Sequence, residues 1–277
     1  MAQVEADKYK VYFDENEALP TGRTFATGTR AVNQLTGRIE VWTGARWIDE
    51  TIWNTPIAEG NFDGSSLTWR GLLISPATYT GASITSVQPM GPSLTRLGTR
   101  YRPASSTINL VTGIRWGSEI SRRGSNPSLV YSMAWGNIAN AKTFHGFTTI
   151  MTDMATGMTN PLGNSDSGVM FGFDQGSTIK VYYNDGGGAP PTPIDTGFTP
   201  TAGAANEYKF GIQFDDAAAK VKWIIMPVSD NSIAAQGELT TDIPAQTTGL
   251  IPHWFLENMA ASQMNFYMSS VKLRQKA

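Results

Sequence analysis

The sequence predicts an all-β chain whose larger part is an antiparallel β-sandwich, preceded by a small N-terminal β-hairpin segment. Three observations carry that prediction. The first is strict alternation between Ser167 and Ser229. Val169, Phe171 and Phe173 alternate with Met170 and Gly172, and Ile179, Val181 and Tyr183 with Lys180 and Tyr182. Tyr208, Phe210, Ile212 and Phe214 alternate with Lys209, Gly211 and Gln213, and Val221, Trp223 and Ile225 with Lys222 and Ile224. Strand side chains point to opposite faces with period two, so each run gathers its large apolar groups on one side. The second observation is punctuation. Asp174-Gln175-Gly176-Ser177, the Gly/Pro-rich span 184–206 and Asp215-Asp216-Ala217-Ala218 are turn and loop chemistry between the runs. The third is that no window sustains a 3.6-residue apolar period, so no helix competes for these segments.

Length and composition bound the rest. A chain of 277 residues makes one or two domains and buries enough surface to hold a core without staples. The cluster Pro56, Gly60, Asn61, Asp63 and Gly64 marks a linker, which predicts an N-terminal segment over 1–56 and a sandwich over 57–277. There is no cysteine, which removes thiolate metal sites, thiol nucleophiles and disulfides, and fits assembly inside a cell. A net charge of −2 gives no general pull toward nucleic acid or an anionic membrane. The start, Met1 to Tyr12, is too charged for a signal peptide, and the longest apolar run, Trp223 to Val228, is far short of the ~20 residues of a membrane helix. The expectation is a soluble chain with no membrane insertion.

Taken in order, Lys8–Phe13 is a candidate strand. Arg38–Trp42 and Arg46–Asp49 form a candidate hairpin around Thr43-Gly44-Ala45. A lone hairpin is marginal in water, so this one needs a partner surface. Trp42, Trp47 and Trp53 lie close together in a segment too small to bury them itself. They are candidate assembly contacts, with packing on the sandwich as the alternative. Leu67–Ile74, Ile108–Trp116, Leu129–Trp135 and Phe144–Met151 are further strands. Ser75–Pro103 is a Ser/Thr/Gly/Pro-rich span expected to hold short strands or to make contacts of its own. The closing run, Asn265–Leu273, is expected to place Tyr267, Val271 and Leu273 on one face.

The run Thr36-Gly37-Arg38-Ile39-Glu40-Val41-Trp42-Thr43-Gly44-Ala45-Arg46-Trp47 resembles a hairpin motif of fibre and decoration proteins of tailed bacteriophages. There it lies near the virion-attached end and helps trimers form, so the resemblance implies a homotrimer held to other virion proteins by this segment. The strand order from Val169–Tyr183 through Tyr208–Phe214, Val221–Val228 and Leu239–Pro244 to Phe266–Leu273 resembles the concanavalin A-like lectin/glucanase jelly roll. That resemblance covers about residues 60 to 277. It implies two curved sheets packed face to face, with a face that often binds sugar.

Candidate chemistry is sparse. His145 and His253 stand alone, without metal-ligand spacing, and read as structural. Gly186-Gly187-Gly188 precedes prolines where a phosphate loop would begin a helix. No strand carries the alternating carboxylates by which jelly-roll glucanases cleave sugar, and the calcium and manganese pattern of legume-type lectins is not matched. The reading is therefore non-enzymatic, with no cofactor. Two sets could bind. Arg96, Arg100, Arg102, Arg115, Arg122 and Arg123 have only Glu119 as an acidic neighbour, and could face an anionic glycan or an acidic partner. Their alternative is ordinary exposed positions. Trp116, Tyr131, Trp135 and Trp254 could stack on sugar rings, with the sandwich core as the favoured alternative.

The expected function is that of a phage virion structural protein: a surface-exposed fibre or adhesin-like head, assembled in the host cytoplasm, that contacts host polysaccharide. A capsid-decoration protein, a free carbohydrate-binding lectin and a glycan-degrading enzyme follow, the enzyme last.

Overall fold

The computed structural model describes residues 10–13, 29–33, 39–42, 47–49, 59–60, 67–69, 72–74, 77–79, 82–91, 96–103, 105–116, 119, 121–262 and 264–274. The chain divides into two compact units, Met1–Thr55 and Pro56–Ala277. Apart from a 3₁₀ turn at Arg123–Ser125, the described residues hold strands and loops.

The first unit is a four-stranded sheet in the order β1-β2-β3-β4, from β1 (Lys10–Phe13), β2 (Arg30–Asn33), β3 (Ile39–Trp42) and β4 (Trp47–Asp49). The expected hairpin is present as β3 and β4, in the register Glu40↔Asp49, Val41↔Ile48 and Trp42↔Trp47. It is not alone, because β2 pairs antiparallel with β3 and parallel with β1. Trp53 lies outside the described residues.

The second unit opens with β5 (Glu59–Gly60), the small hairpin β6 (Leu67–Trp69) and β7 (Leu72–Ile74), and β8 (Ala77–Thr78). Then follow β9 (Ala82–Met90), β10 (Arg96–Pro103), β11 (Val111–Arg115), β12 (Ser121–Arg122), β13 (Ser128–Trp135) and β14 (Ala141–Thr148). The alternating stretch supplies β15 (Ser167–Asp174), β16 (Lys180–Asp185), β17 (Ile194–Asp195), β18 (Tyr208–Asp215) and β19 (Lys220–Pro227). β20 (Ala235–Leu239), β21 (Gly249–Asn258) and β22 (Phe266–Arg274) complete it.

Apart from the β6–β7 hairpin, these strands form two antiparallel sheets. The first runs β20-β19-β18-β13-β22-β10-β9, with β5 also on β22. The second runs β17-β16-β15-β14-β21-β11-β8, with β12 also on β21. Their inner faces share one core. Leu129, Tyr131, Met133, Trp135, Phe210, Ile212 and Phe266 of the first meet Phe147, Val169, Phe171, Phe173, Val181, Trp254 and Leu256 of the second. Fully burying each such side chain stabilises by roughly 1.5–3 kcal/mol, so this layer holds the fold.

The turns do what their residues allow. Ser177 N–H bonds Asp174 O across Gln175 (φ 49) and Gly176 (φ 72), a turn with both central residues left-handed. Three expectations need correction. Ser75–Pro103 holds two long paired strands, β9 and β10, besides the short β8. β21 was not expected, yet it is buried along its whole length and lies between β14 and β11. Tyr267 does not share a face with Val271 and Leu273. A register shift opposite Ser132/Met133 gives β22 an extra residue, so Phe266, Met268, Val271 and Leu273 face the core and Tyr267 pairs with Ala134.

Candidate functional site

The outer face of the second sheet carries the chemistry. Residues directly paired on neighbouring strands share a face, so the register sorts this face into rows. One row is charged: Glu257, Lys142 and Asp174. The next is Gly113, Phe255, Phe144, Gly172 and Lys180. The third is Arg115, His253, Gly146, Met170 and Tyr182, and the fourth ends in Thr148, Gly168 and Asn184. Two glycines are there for their neighbours' rings. A Cβ at position 172 would stand 2.5 Å from Phe144 Cδ1, and one at 113 would stand 2.6 Å from Tyr79 Cε1. The result is an aromatic band in which Phe144 stacks on Phe255 at 5.7 Å and meets Tyr182 edge-on at 5.2 Å.

The band is roofed by residues 149–166, the connection from β14 to β15. Met154 and Leu162 pack into a second cluster with Tyr79, Phe144, Met170, Tyr182 and Phe255. Polar ties fix the same segment. Arg115 Nε donates to Asp153 Oδ1 at 3.0 Å. Gly157 N–H is received by both oxygens of buried Glu257, at 2.9 and 3.1 Å. Met154 N–H donates to Tyr79 Oη at 2.9 Å, and Tyr79 Oη lies 2.5 Å from His253 Nε2. His253 Nδ1 lies 3.0 Å from Ile150 O. A carbonyl only accepts, so Nδ1 carries the proton and Nε2 accepts from the Tyr79 hydroxyl. Burial drives the His253 pKa down to about 3 and the Tyr79 pKa up, which keeps both groups neutral at pH 7. Burial likewise raises Tyr182 to about 12.

At the end of this face two loops form an exposed polar shelf. Asn184 is buried, and its amide donates to Gly163 O at 2.9 Å and to Gly188 O at 3.3 Å, tying residues 160–166 to 185–190. Asp166 Oδ2 receives Gly163 N–H at 2.8 Å, and Asp185 Oδ1 receives Gly187 N–H at 2.7 Å. Asn164, Ser165, Asp185, Gly187 and Gly188 are exposed around them. Carboxylate, amide and glycine backbone together can accept from and donate to vicinal hydroxyls. Sequence reasoning passed over this shelf because Gly, Asn and Asp in a loop look like ordinary turn chemistry.

The structure disperses the arginines singled out above. Arg100 and Arg102 lie half-buried on β10 of the first sheet, and Arg115 on β11 of the second. Arg122 is exposed beside Glu119 at 3.7 Å. Arg123 donates to Pro244 O at 2.9 Å and stands 3.4 Å from Asp216. Trp116, Trp135, Tyr131 and Trp254 all lie between the sheets, out of reach of solvent. So does His145, whose Nδ1 is 2.5 Å from Tyr131 Oη and whose pKa burial lowers to about 3. Trp42 and Trp47 lie on β3 and β4 of the first unit. Among the described residues no three His, Asp or Glu side chains gather where they could hold a metal ion.

No protein-family model and no curated protein matches the chain. Solved structures do. The chain is similar to the Emp46p carbohydrate recognition domain in its metal-free form, with TM-score 0.50 and 9% identity over 73% of this chain and 88% of that one. It is equally similar to a legume lectin-like domain from Entamoeba histolytica, with TM-score 0.50 and 9% identity over 73% of this chain and 90% of that one. A protein of unknown function from Shewanella oneidensis MR-1 aligns over 80% of this chain and 91% of its own, with 12% identity and TM-score 0.46. The sandwich therefore has the legume-lectin jelly-roll fold. At these identities the likeness speaks for the fold alone.

Proposed function

We propose that the second unit is a non-enzymatic carbohydrate-binding head, and that its ligand is a glycan held at the shelf formed by residues 160–166 and 185–190. The single observation that carries this reading is the shelf itself. One exposed and one half-buried carboxylate, Asp185 and Asp166, stand with a run of glycine backbone on two loops tied by one buried amide, at the open end of an aromatic-floored sheet. Such groups recognise hydroxyl pairs by directional hydrogen bonds, which exchange for water at little net gain each. Affinity per site is therefore modest, and copies acting together would supply the rest. Binding is preferred to cleavage because the buried carboxylates are occupied: Glu257 holds Gly157, and Glu207 receives the Ser269 hydroxyl.

The hairpin over Thr36–Trp47 favours a second, compatible reading in which this head belongs to a phage virion protein. In it the first unit gathers copies into a trimer, with Trp42, Trp47 and Trp53 as the contacts, and host surface polysaccharide is the ligand. Light scattering on the full chain tests the trimer, which a monomer would rule out.

A glycan array probed with the full chain tests the main reading. The doubly substituted Asp166→Ala/Asp185→Ala chain is expected to lose binding at least tenfold while its unfolding midpoint stays unchanged. Binding that survives both substitutions would overturn the site, and an array with no ligand would overturn the function.

A further inference from the structure

Both faces of the second sheet are covered, but by different kinds of cover. One side meets the other sheet. The opposite side meets Tyr79 and the segment 149–166, which is thin: Thr152, Ala155, Thr156, Gly157 and Thr159 are exposed along its top while Met154 and Leu162 pack beneath. Its first half is held by the Arg115–Asp153 pair and through one imidazole. His253 gives its Nδ1 proton to Ile150 O, and its Nε2 takes the proton of the Tyr79 hydroxyl whose oxygen receives Met154 N–H. Two anchor points four residues apart thus depend on one ring with one tautomer.

We infer that the first part of this segment, residues 149–159, is an acid-released strap over the outer face, latched by neutral His253 and unlatched when that imidazole takes a second proton. Residues 160–166 stay tied to Asn184. The hydrogen-bond chain gives the reason. A proton on Nε2 points a donor at the Tyr79 hydroxyl, whose oxygen already receives Met154 N–H, so the hydroxyl can no longer give its own proton to the ring. The surroundings add to this. Arg115 from β11 faces the ring and opposes a second cation, while Asp153 from the strap is engaged by Arg115 itself. β14 offers only Gly146 opposite His253, Tyr79 follows β8, and Tyr182 of β16 stays neutral in the same cluster. Lys142 and Glu257 lie in a row further along β21, with Glu257 tied to Gly157. Once the strap lifts, the ring meets water and returns to the ordinary histidine value near 6.5. Between that value and about 3 the open form binds the extra proton and the closed form does not, so acid favours opening. From pH 7 to 4.5 the open-to-closed ratio rises by roughly 70-fold. That the uncovered floor extends the glycan shelf rests on the function proposed above; the latch does not.

Hydrogen exchange on the full chain between pH 7 and 4.5, corrected for intrinsic rates, tests the latch. Protection of the Met154 and Gly157 amides is expected to lie below that of the β13 and β18 amides at pH 7. It should fall roughly 70-fold from there, the effect of one imidazole, while β13 and β18, which exchange on unfolding of the whole unit, respond to both. Tyr79→Phe removes the hydroxyl but keeps the ring, so it should loosen the strap at pH 7 and flatten its pH dependence. His253→Gln should flatten it too, and if that chain fails to fold, the wild-type profile and Tyr79→Phe decide. Strap protection that ignores pH, or that equals that of β13 and β18 at both pH values, would overturn the proposal. Glycan binding measured at both pH values separates the two claims. An array without ligand at either pH defeats the glycan reading and leaves the strap standing. A rigid strap with a good ligand does the reverse.

Discussion

His145 and His253 are neighbours in register, one step apart across β14 and β21, and they face opposite ways. His145 pairs with Trp254 and points between the sheets, whereas His253 pairs with Gly146 and points under the strap. Each ring contacts a tyrosine hydroxyl at 2.5 Å and each is buried. What differs is the cover. His145 is enclosed by Trp135, Phe171 and Phe210, side chains on rigid strands of both layers. His253 is enclosed by backbone groups of an irregular segment. The same chemistry thus sits in a region that opens only when the whole unit unfolds, and in another that can open alone.

The largest way to break the inner region is to empty it. Trp254→Ala removes a ring that meets Tyr131 at 5.4 Å and Trp116 at 5.5 Å, and should cost about 3–5 kcal/mol in a urea melt. Acid acts next. Both imidazoles have folded pKa values depressed to about 3 against an unfolded value near 6.5, so their stabilisation is complete above pH 6.5 and is lost as pH falls toward 3. Each should remove about 2.5 kcal/mol of global stability between pH 7 and 4.5. His145→Phe should halve that slope in melts while leaving the strap's pH response intact. A smaller effect belongs to the floor under the strap. Gly172→Ala sets a Cβ 2.5 Å from the Phe144 ring and from Thr143 O, and should cost about 1–3 kcal/mol by overpacking. Arg122→Ala, which breaks an exposed pair with Glu119, should change the melt by about 0–1 kcal/mol.

The same contrast explains what could be read in advance. Strands with polar residues between their inward groups, such as Tyr208–Phe214 beside Lys209 and Gln213, announce themselves by alternation. β21 does not, because Leu250–Glu257 is buried on both faces and so loses its alternation, and Pro252 argues against a central strand. Pro252 is tolerated because β11 ends opposite His253, leaving only the Pro252 carbonyl to accept Trp116 N–H. The bulge in β22 was invisible for a related reason: Ser269-Ser270 gives no sign that one extra residue reverses the pleat. The two layers were therefore legible, and the strap and shelf were not. Among their residues, Asp153, Gly157 and Asn184 act through partners far away in sequence, and no local period records such partners.

An NMR titration of the two imidazoles in the full chain meets the account head-on. With both faces of the second sheet covered, the account predicts two neutral rings at pH 5.5, with His253 as the Nδ1–H tautomer. A ring that titrates near 6.5 with the chain still folded would place that histidine in water, and would contradict the cover on its side of the sheet.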